Sequence, residues 1–205
     1  MLITAVEPRR KSLSALFLDG EFAVNIDTET LLKSGYKPGR ELDDEQLHGL
    51  IQASENRRAG EKALYLLEHR SHSQKELADK ISRVTSREAA LAAAEHMVEI
   101  GLVNDEEYAR SLAAELLNRK GFSASRVRQE LLQKGIDREL AGQIVEEAAP
   151  DPVKKILELI QKKYIRTLDD EKGRRRSISA LQRLGYRWDD IRTALNQLVD
   201  EEDTV

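Results

Sequence analysis

Apolar and polar positions alternate at the start of the chain and then change period. Leu2 to Glu7 alternates loosely, and Ser12 to Leu18 and Glu21 to Ile26 are two further apolar runs joined by Asp19-Gly20. An Asp-Gly pair between such runs predicts a hairpin, because the type I′ turn needs positive φ at both central residues. The first 26 residues or so are therefore expected to form a small antiparallel sheet, too small to stand alone and so expected to lean on the following helix. A short helical turn is expected from Asp27 to Lys33, then a loop marked by Gly35, Pro38 and Gly39. Asp43 is a good N-cap for a helix carrying Leu47, Leu50 and Ile51, which can run towards Arg58 or merge with the next segment.

From Ala59 onward the period is helical. Ala63, Leu64 and Leu67 form one stripe. Ser71 or Ser73 caps a short helix with Leu77 and Ile81. Ser86 caps a longer one, with Leu91, Ala94, Met97 and Val98 expected inward and Gly101 ending it. Asn104, with Glu107 in the capping-box position, opens a helix bearing Tyr108, Leu112, Leu116 and Leu117 that stops at Gly121. Ser123 or Ser125 starts the next, with Val127 and Leu131, and Gly135 stops it. Asp137 opens a helix with Leu140, Ile144 and Val145. Asp151-Pro152 is a strong restart, since proline is well placed at a first helical position. Val153, Ile156, Leu157 and Ile160 follow. Ile178, Leu181 and Leu184 lie on a helix ending at Gly185, and Ile191, Leu195 and Leu198 on a last one from about Trp188. Fraying is expected after Asp200.

These helices repeat. Lys75–Lys80, Gln129–Lys134 and Ser179–Leu184 each place a leucine (Leu77, Leu131, Leu181) at the same point of a short second helix, and a third helix follows from Arg87, Arg138 and Trp188. The period is about fifty residues, in the range of stacked helical repeats. The expected fold is mainly α: three tandem three-helix repeats in an elongated, curved array, preceded by a small antiparallel β segment. Expected boundaries are 1–40 for the β segment, 41–58 for a connecting helix, 59–103, 104–149 and 150–200 for the repeats, and 201–205 for the tail.

Composition narrows the function. Of 205 residues, 34% are charged and only 4% aromatic, which suits helices. There is no cysteine, which removes disulfides, thiolate nucleophiles and Cys-ligated zinc. No apolar run approaches the roughly 20 residues of a membrane span, and Pro8, Arg9 and Arg10 interrupt any leader-like start. A soluble cytoplasmic protein is expected, with no membrane partner. The formal net charge of -4 argues against binding polyanions over the whole surface, but charge acts locally.

Catalytic patterns are missing. There is no G-x-S-x-G elbow, no P-loop and no G-x-G-x-x-G. No enzyme, cofactor or metal is expected. Of the four histidines, His69 and His72 are read as a solvated helix end and His96 as structural on a half-buried face. Glu95-Glu99, Glu106-Glu107 and Glu146-Glu147 read as solvated, ion-paired helix faces. Most basic pairs read the same way. Two groups ask for more. Arg119, Lys120, Arg126 and Arg128 flank the Gly121 turn, where a helix start also favours an anion. Arg174, Arg175 and Arg176 sit near a helix start, where the dipole disfavours them, so they read either as a contact site or as an accident. Arg187 and Trp188 lie at the next turn, the tryptophan as a core plug or a stacking platform.

The stretch Gly101-Leu102-Val103-Asn104-Asp105-Glu106-Glu107-Tyr108-Ala109 resembles the signature of the RecX family. So do Lys120-Gly121 with Val127 to Ile136, Leu184-Gly185-Tyr186 with Asp189, Asp190 and Ile191, and Ala63 to Leu67 with Arg70 and Ser73 to Leu77. The resemblance spans about residues 59–199. It implies three tandem three-helix repeats, no catalytic residues, and a modulator that lies in the groove of RecA recombinase filaments on single-stranded DNA and inhibits strand exchange and ATP hydrolysis. It transfers no contact residues. Charge placement alone nominates Arg119, Lys120, Arg126, Arg128, Arg174, Arg175, Arg176 and Arg187, with single-stranded DNA reached through the filament and the protein a monomer. A helix-turn-helix-like DNA-binding regulator and a generic helical scaffold are the alternatives.

Overall fold

Asp19 and Gly20 take φ of 51° and 92°, and the strands on either side pair in antiparallel register from Leu18↔Glu21 to Leu13↔Asp27. In the computed structural model, which describes residues 1–168 and 170–202, these strands are β2 (Leu13–Leu18) and β3 (Glu21–Asp27). With β1 (Ile3–Arg9) they form one sheet of order β1-β2-β3, and β1 runs two residues beyond the Glu7 end expected for it. Asp27 caps α1 (Thr28–Ser34), and Asp43 caps α2 (Asp44–His69) through a capping box with Gln46.

The chain divides into two compact units, Met1–Asn104 and Asp105–Val205. Within the first, α2 is one unbroken helix of 26 residues, so the expected connecting segment and the first helix of the first repeat are continuous. Its first half closes the core of the sheet, where Leu50 packs with Ile3, Leu16, Leu18, Ile26, Leu31 and Leu42. Its second half serves another core, where Ala59 and Ala63 meet Leu77, Ala78 and Ile81 of α3 (Gln74–Ile81) and Ala90, Ala94 and Met97 of α4 (Arg87–Glu99). Two buried polar contacts tie sheet to helix: the Asp27 amide donates to Ser54 Oγ at 2.7 Å, and Arg57 Nε lies 3.1 Å from Asp27 Oδ1. The stripe expected here is wrong in detail. Leu64, Leu91 and Val98 are exposed; Ala94 and Met97 face inward as expected, and alanines 89, 90 and 93 join them. Small side chains let α2 and α4 approach closely, and that closeness leaves no room for the larger ones.

In the second unit, α5 (Asp105–Ala114) starts just after Asn104 and continues as a π-helical segment, Glu115–Lys120, to Gly121. Next come α6 (Ala124–Gln133) and α7 (Arg138–Ala148), capped by Ser123 and Asp137. The last repeat begins at α8 (Pro152–Leu159), capped by Asp151, and widens likewise into a π segment, Ile160–Tyr164, then a 3₁₀ turn, Ile165–Thr167. It ends with α9 (Glu171–Arg183) and α10 (Trp188–Glu202). The π segments were not foreseen, because each lies at the end of its helix, one running to Gly121 and the other to a 3₁₀ turn, so too few residues follow for the shifted spacing to show. Of the tail expected beyond Asp200, residues 203–205 lie outside the described residues.

The repeat leucines occupy matching core positions: Leu77, Leu131 and Leu181 are 0, 0 and 1% exposed. The second and third repeats also join end to end. The Ser123 amide donates to the Leu184 carbonyl at 2.9 Å, and Ser125 Oγ donates to the Gly185 carbonyl at 3.3 Å. The open N-terminus of α6 thus satisfies carbonyls at the C-terminus of α9, with the two helix dipoles meeting at opposite poles.

Candidate interaction surface

Three consecutive arginines cannot share one face of a helix, because each residue turns the axis by about 100°. In α9 the inward side is Gly173, Ser177 and Leu181. Lys172, Arg176, Ser179 and Arg183, spaced by four, three and four, fall on the opposite side, with Arg175 beside them. Their side chains frame a shallow groove of about 610 Å³ that includes Glu171. Arg174 turns to the other flank, so the triplet divides. Arg175 is held by Glu171 one turn back, whereas Lys172, Arg176 and Arg183 pair with no carboxylate among the described residues. The dipole penalty expected of these bases is offset, because Asp170 caps the helix and Glu171 stands in its first turn.

The segment around α9 is basic in a chain that is not. Residues 151–200 hold twelve Lys and Arg against eight Asp and Glu, a net of +4, which leaves -8 for the rest of a chain at -4. Arg187 is exposed just before α10. Trp188 is 47% exposed at the first position of that helix, so it is not a core plug. The neighbouring Tyr186 takes the core position. Burial pushes its phenol up to about 12, with the Glu158 carboxylate adding to the shift.

The other nominated group does not converge. Arg119 is exposed and sits 3.6 Å from Glu115. Lys120 Nζ lies 5.9 Å from the centre of the Phe122 ring. Arg126 stacks on the same ring: its guanidinium is 3.9 Å from that ring centre, and it donates to the Arg183 carbonyl at the end of α9. Two residues on, Arg128 points about 200° away and lies across Gly142 of α7, 3.3 Å from where a Cβ would stand. It lines a separate groove with Arg138, Glu139 and Glu146. Arg126 is thus committed to joining two repeats, Arg128 packs on its own repeat, and only Arg119 and Lys120 stay at the turn.

Sequence reasoning missed Lys172, Ser179 and Arg183 as partners of Arg176. Their four-three-four spacing was the available signal, hidden by the more conspicuous run of three arginines.

The histidines need two corrections. His72 is buried, not solvated, with Nδ1 3.4 Å from Glu76 Oε2, and burial lowers its pKa. His96 is exposed and lies 3.3 Å from Glu99. His69 is exposed, as read. The acidic pairs sit on helix surfaces, and Arg110 bridges Glu106 at 3.0 Å and Glu147 at 2.7 Å, tying α5 to α7. No group of three or more candidate metal ligands occurs among the described residues.

Comparison with known proteins places this architecture. The pattern described as the second three-helix domain of RecX matches residues 104–143, which hold α5, α6 and the first half of α7. The regulatory protein RecX of Caldanaerobacter subterraneus subsp. tengcongensis is 31% identical over 204 residues, covering 96% of this chain and 99% of that one. The regulatory protein RecX of Bacillus subtilis is 27% identical over 209 residues, covering 98% of this chain and 78% of its own. Among solved structures, a regulatory protein RecX superposes with a TM-score of 0.61 at 20% identity over 95% of this chain and 98% of its own. RecX from Lactobacillus salivarius gives 0.58 at 22% identity over 71% of this chain and 97% of its own. At those identities the structures speak to fold alone. The end-to-end match to a relative at 31% identity carries more, and by it the chain belongs to the RecX family of regulatory proteins.

Proposed function

We propose that this chain binds RecA recombinase filaments on single-stranded DNA and lowers their strand-exchange and ATPase activity, as the family resemblance implies. The observation that carries a mechanism is the face of α9, where Lys172, Arg176 and Arg183 stand without carboxylate partners among the described residues. Cations left unpaired on a helix surface gain by meeting phosphates or an acidic protein face, and they release counterions when they do. In this reading the repeats are the contact units. Several weak contacts on one polymer raise the effective concentration, so the chain favours filament over free recombinase. It acts as a monomer in the cytoplasm, without a cofactor. No helix among the described residues is long and apolar enough to cross a membrane.

The test is the ATPase of RecA on single-stranded DNA, titrated with this chain. The wild type is expected to suppress turnover below equimolar ratio. The double variant Arg176→Glu, Arg183→Glu is expected to need about tenfold more protein and to show a flatter salt dependence. No suppression by the wild type would sink the reading. Equal suppression by a folded variant would remove α9 from it.

A further inference from the structure

The two turns of the N-terminal sheet are built differently. The β2–β3 turn uses Asp19-Gly20, a pair suited to positive φ. The β1–β2 turn closes above the Arg9↔Leu13 pair with Arg10, Lys11 and Ser12, and Lys11 and Ser12 take φ of 60° and 56°. A lysine rarely adopts that conformation, and such outliers gather where side-chain identity matters more than backbone ease. The turn holds Lys11 where a glycine would fit the backbone better.

The charge around it is unbalanced in the same sense. Every residue from Glu7 to Ser12 is exposed. Glu7 is engaged by Arg9 at 3.0 Å. The carboxylates of the adjoining chain are engaged too: the Thr28 amide donates to the Ser12 carbonyl, and on either side of Thr28, Asp27 is held by Arg57 and Glu29 by Arg57 and by Lys33 at 2.8 Å. Arg10 and Lys11 pair with no carboxylate among the described residues. The tip offers no aromatic or long aliphatic side chain between Glu7 and Ser12, so it lacks the apolar anchor that a protein partner would use. It presents long cationic donors at one end of the three-stranded sheet, where Leu13 pairs with both Arg9 and Asp27, and long cationic donors without carboxylates are suited to phosphate contact.

We infer that the β1–β2 hairpin tip, Arg10 and Lys11 with Arg9 behind them, is a contact site for the phosphodiester backbone of single-stranded nucleic acid. The contact belongs to this chain itself and does not rest on the filament reading. It carries little base specificity, since the tip has no aromatic side chain on which a base could stack and its flexible cations favour phosphates.

The experiment is fluorescence anisotropy of a labelled oligothymidylate titrated with the full chain, with no recombinase present, over a series of salt concentrations. The wild type binds at low salt, and log K falls linearly with log salt. Arg10→Gln, Lys11→Gln weakens binding about tenfold at low salt and flattens the slope by about 1.4, the value for two phosphate contacts on a single strand. Lys11→Gly separates this role from a structural one. It relieves the turn, so the thermal midpoint rises while affinity falls about threefold. Failure of the wild type to bind at low salt, or an unchanged slope in the folded double variant, overturns the inference. So does a Lys11→Gly variant that keeps full affinity. Because recombinase is absent, each of these outcomes is read separately from the ATPase test.

Discussion

Two clusters of basic residues, one on either side of the junction between the second and third repeats, look alike in sequence and are used differently. Around Gly121, Arg126 spends its guanidinium on Phe122 and on the Arg183 carbonyl, and Arg128 lies flat on Gly142. On α9, Arg176 and Arg183 reach solvent with nothing to neutralise them among the described residues. Arg183 belongs to both: its backbone carbonyl anchors the junction and its side chain lines the groove. A cation's availability for a partner is therefore decided by what the fold has already placed within its reach, and a run of like charges is a poor guide to it.

That comparison can be strained at its strongest point first. Gly185 has φ of 95°, and a Cβ there would meet Ser123 Oγ at 2.5 Å and Arg126 Cβ at 2.8 Å. Gly185→Ala is expected to destabilise the protein by about 3 kcal/mol, read as a shift of the urea midpoint, because it combines backbone strain with displacement of the junction. A variant that unfolds like the wild type would mean that the junction contacts are dispensable. The next test sets the two clusters against each other. Arg126→Ala should cost about 1–2 kcal/mol through its charge-assisted hydrogen bond and ring contact, whereas Arg176→Ala should stay within about 0.5 kcal/mol of the wild type. Equal effects would erase the distinction between a committed and an uncommitted cation.

The smallest effect concerns a third use of arginine. Hydrogen bonding to Arg110, and then to Gln143, lowers the pKa of Glu147 below its ordinary value of 4.5. A depressed carboxylate contributes stability that is present above its unfolded pKa and is lost as pH falls through the folded one. Titration of Glu147 by NMR should therefore place its midpoint below the free-glutamate value, and Arg110→Ala should move it back up. A midpoint indifferent to Arg110 would mean that the α5–α7 bridge is not populated in solution.

Much of the fold is legible in the sequence alone. The caps Asp43, Ser86, Asp137 and Asp151 and the stops Gly121, Gly135 and Gly185 are local signals, since a helix end needs only its own neighbours to satisfy its backbone groups. The Asp19-Gly20 hairpin is local in the same way. The period that put Leu77, Leu131 and Leu181 at matching core positions is also written along the chain. The expectations that the structure overturns are those that depend on packing distance. Leu64, Leu91 and Val98 fit an inward stripe by period, but they are exposed, and alanines 89, 90 and 93 join the expected Ala63 and Ala94 where α2 and α4 pack. Trp188 was the natural core plug by size, yet Tyr186 fills that role. The α9 groove was only half legible: the arginine run was visible, but its division between two faces follows from where the helix turns its core side.

What the sequence determined by itself is the order of elements, their caps and the leucines at their cores, because these follow from hydrogen bonds and periodicities that span a few residues. What only the tertiary structure decided is which polar and charged groups remain free. That outcome depends on distances between residues far apart in the chain, such as Arg126 to Arg183 and Asp27 to Arg57, and no local pattern encodes them.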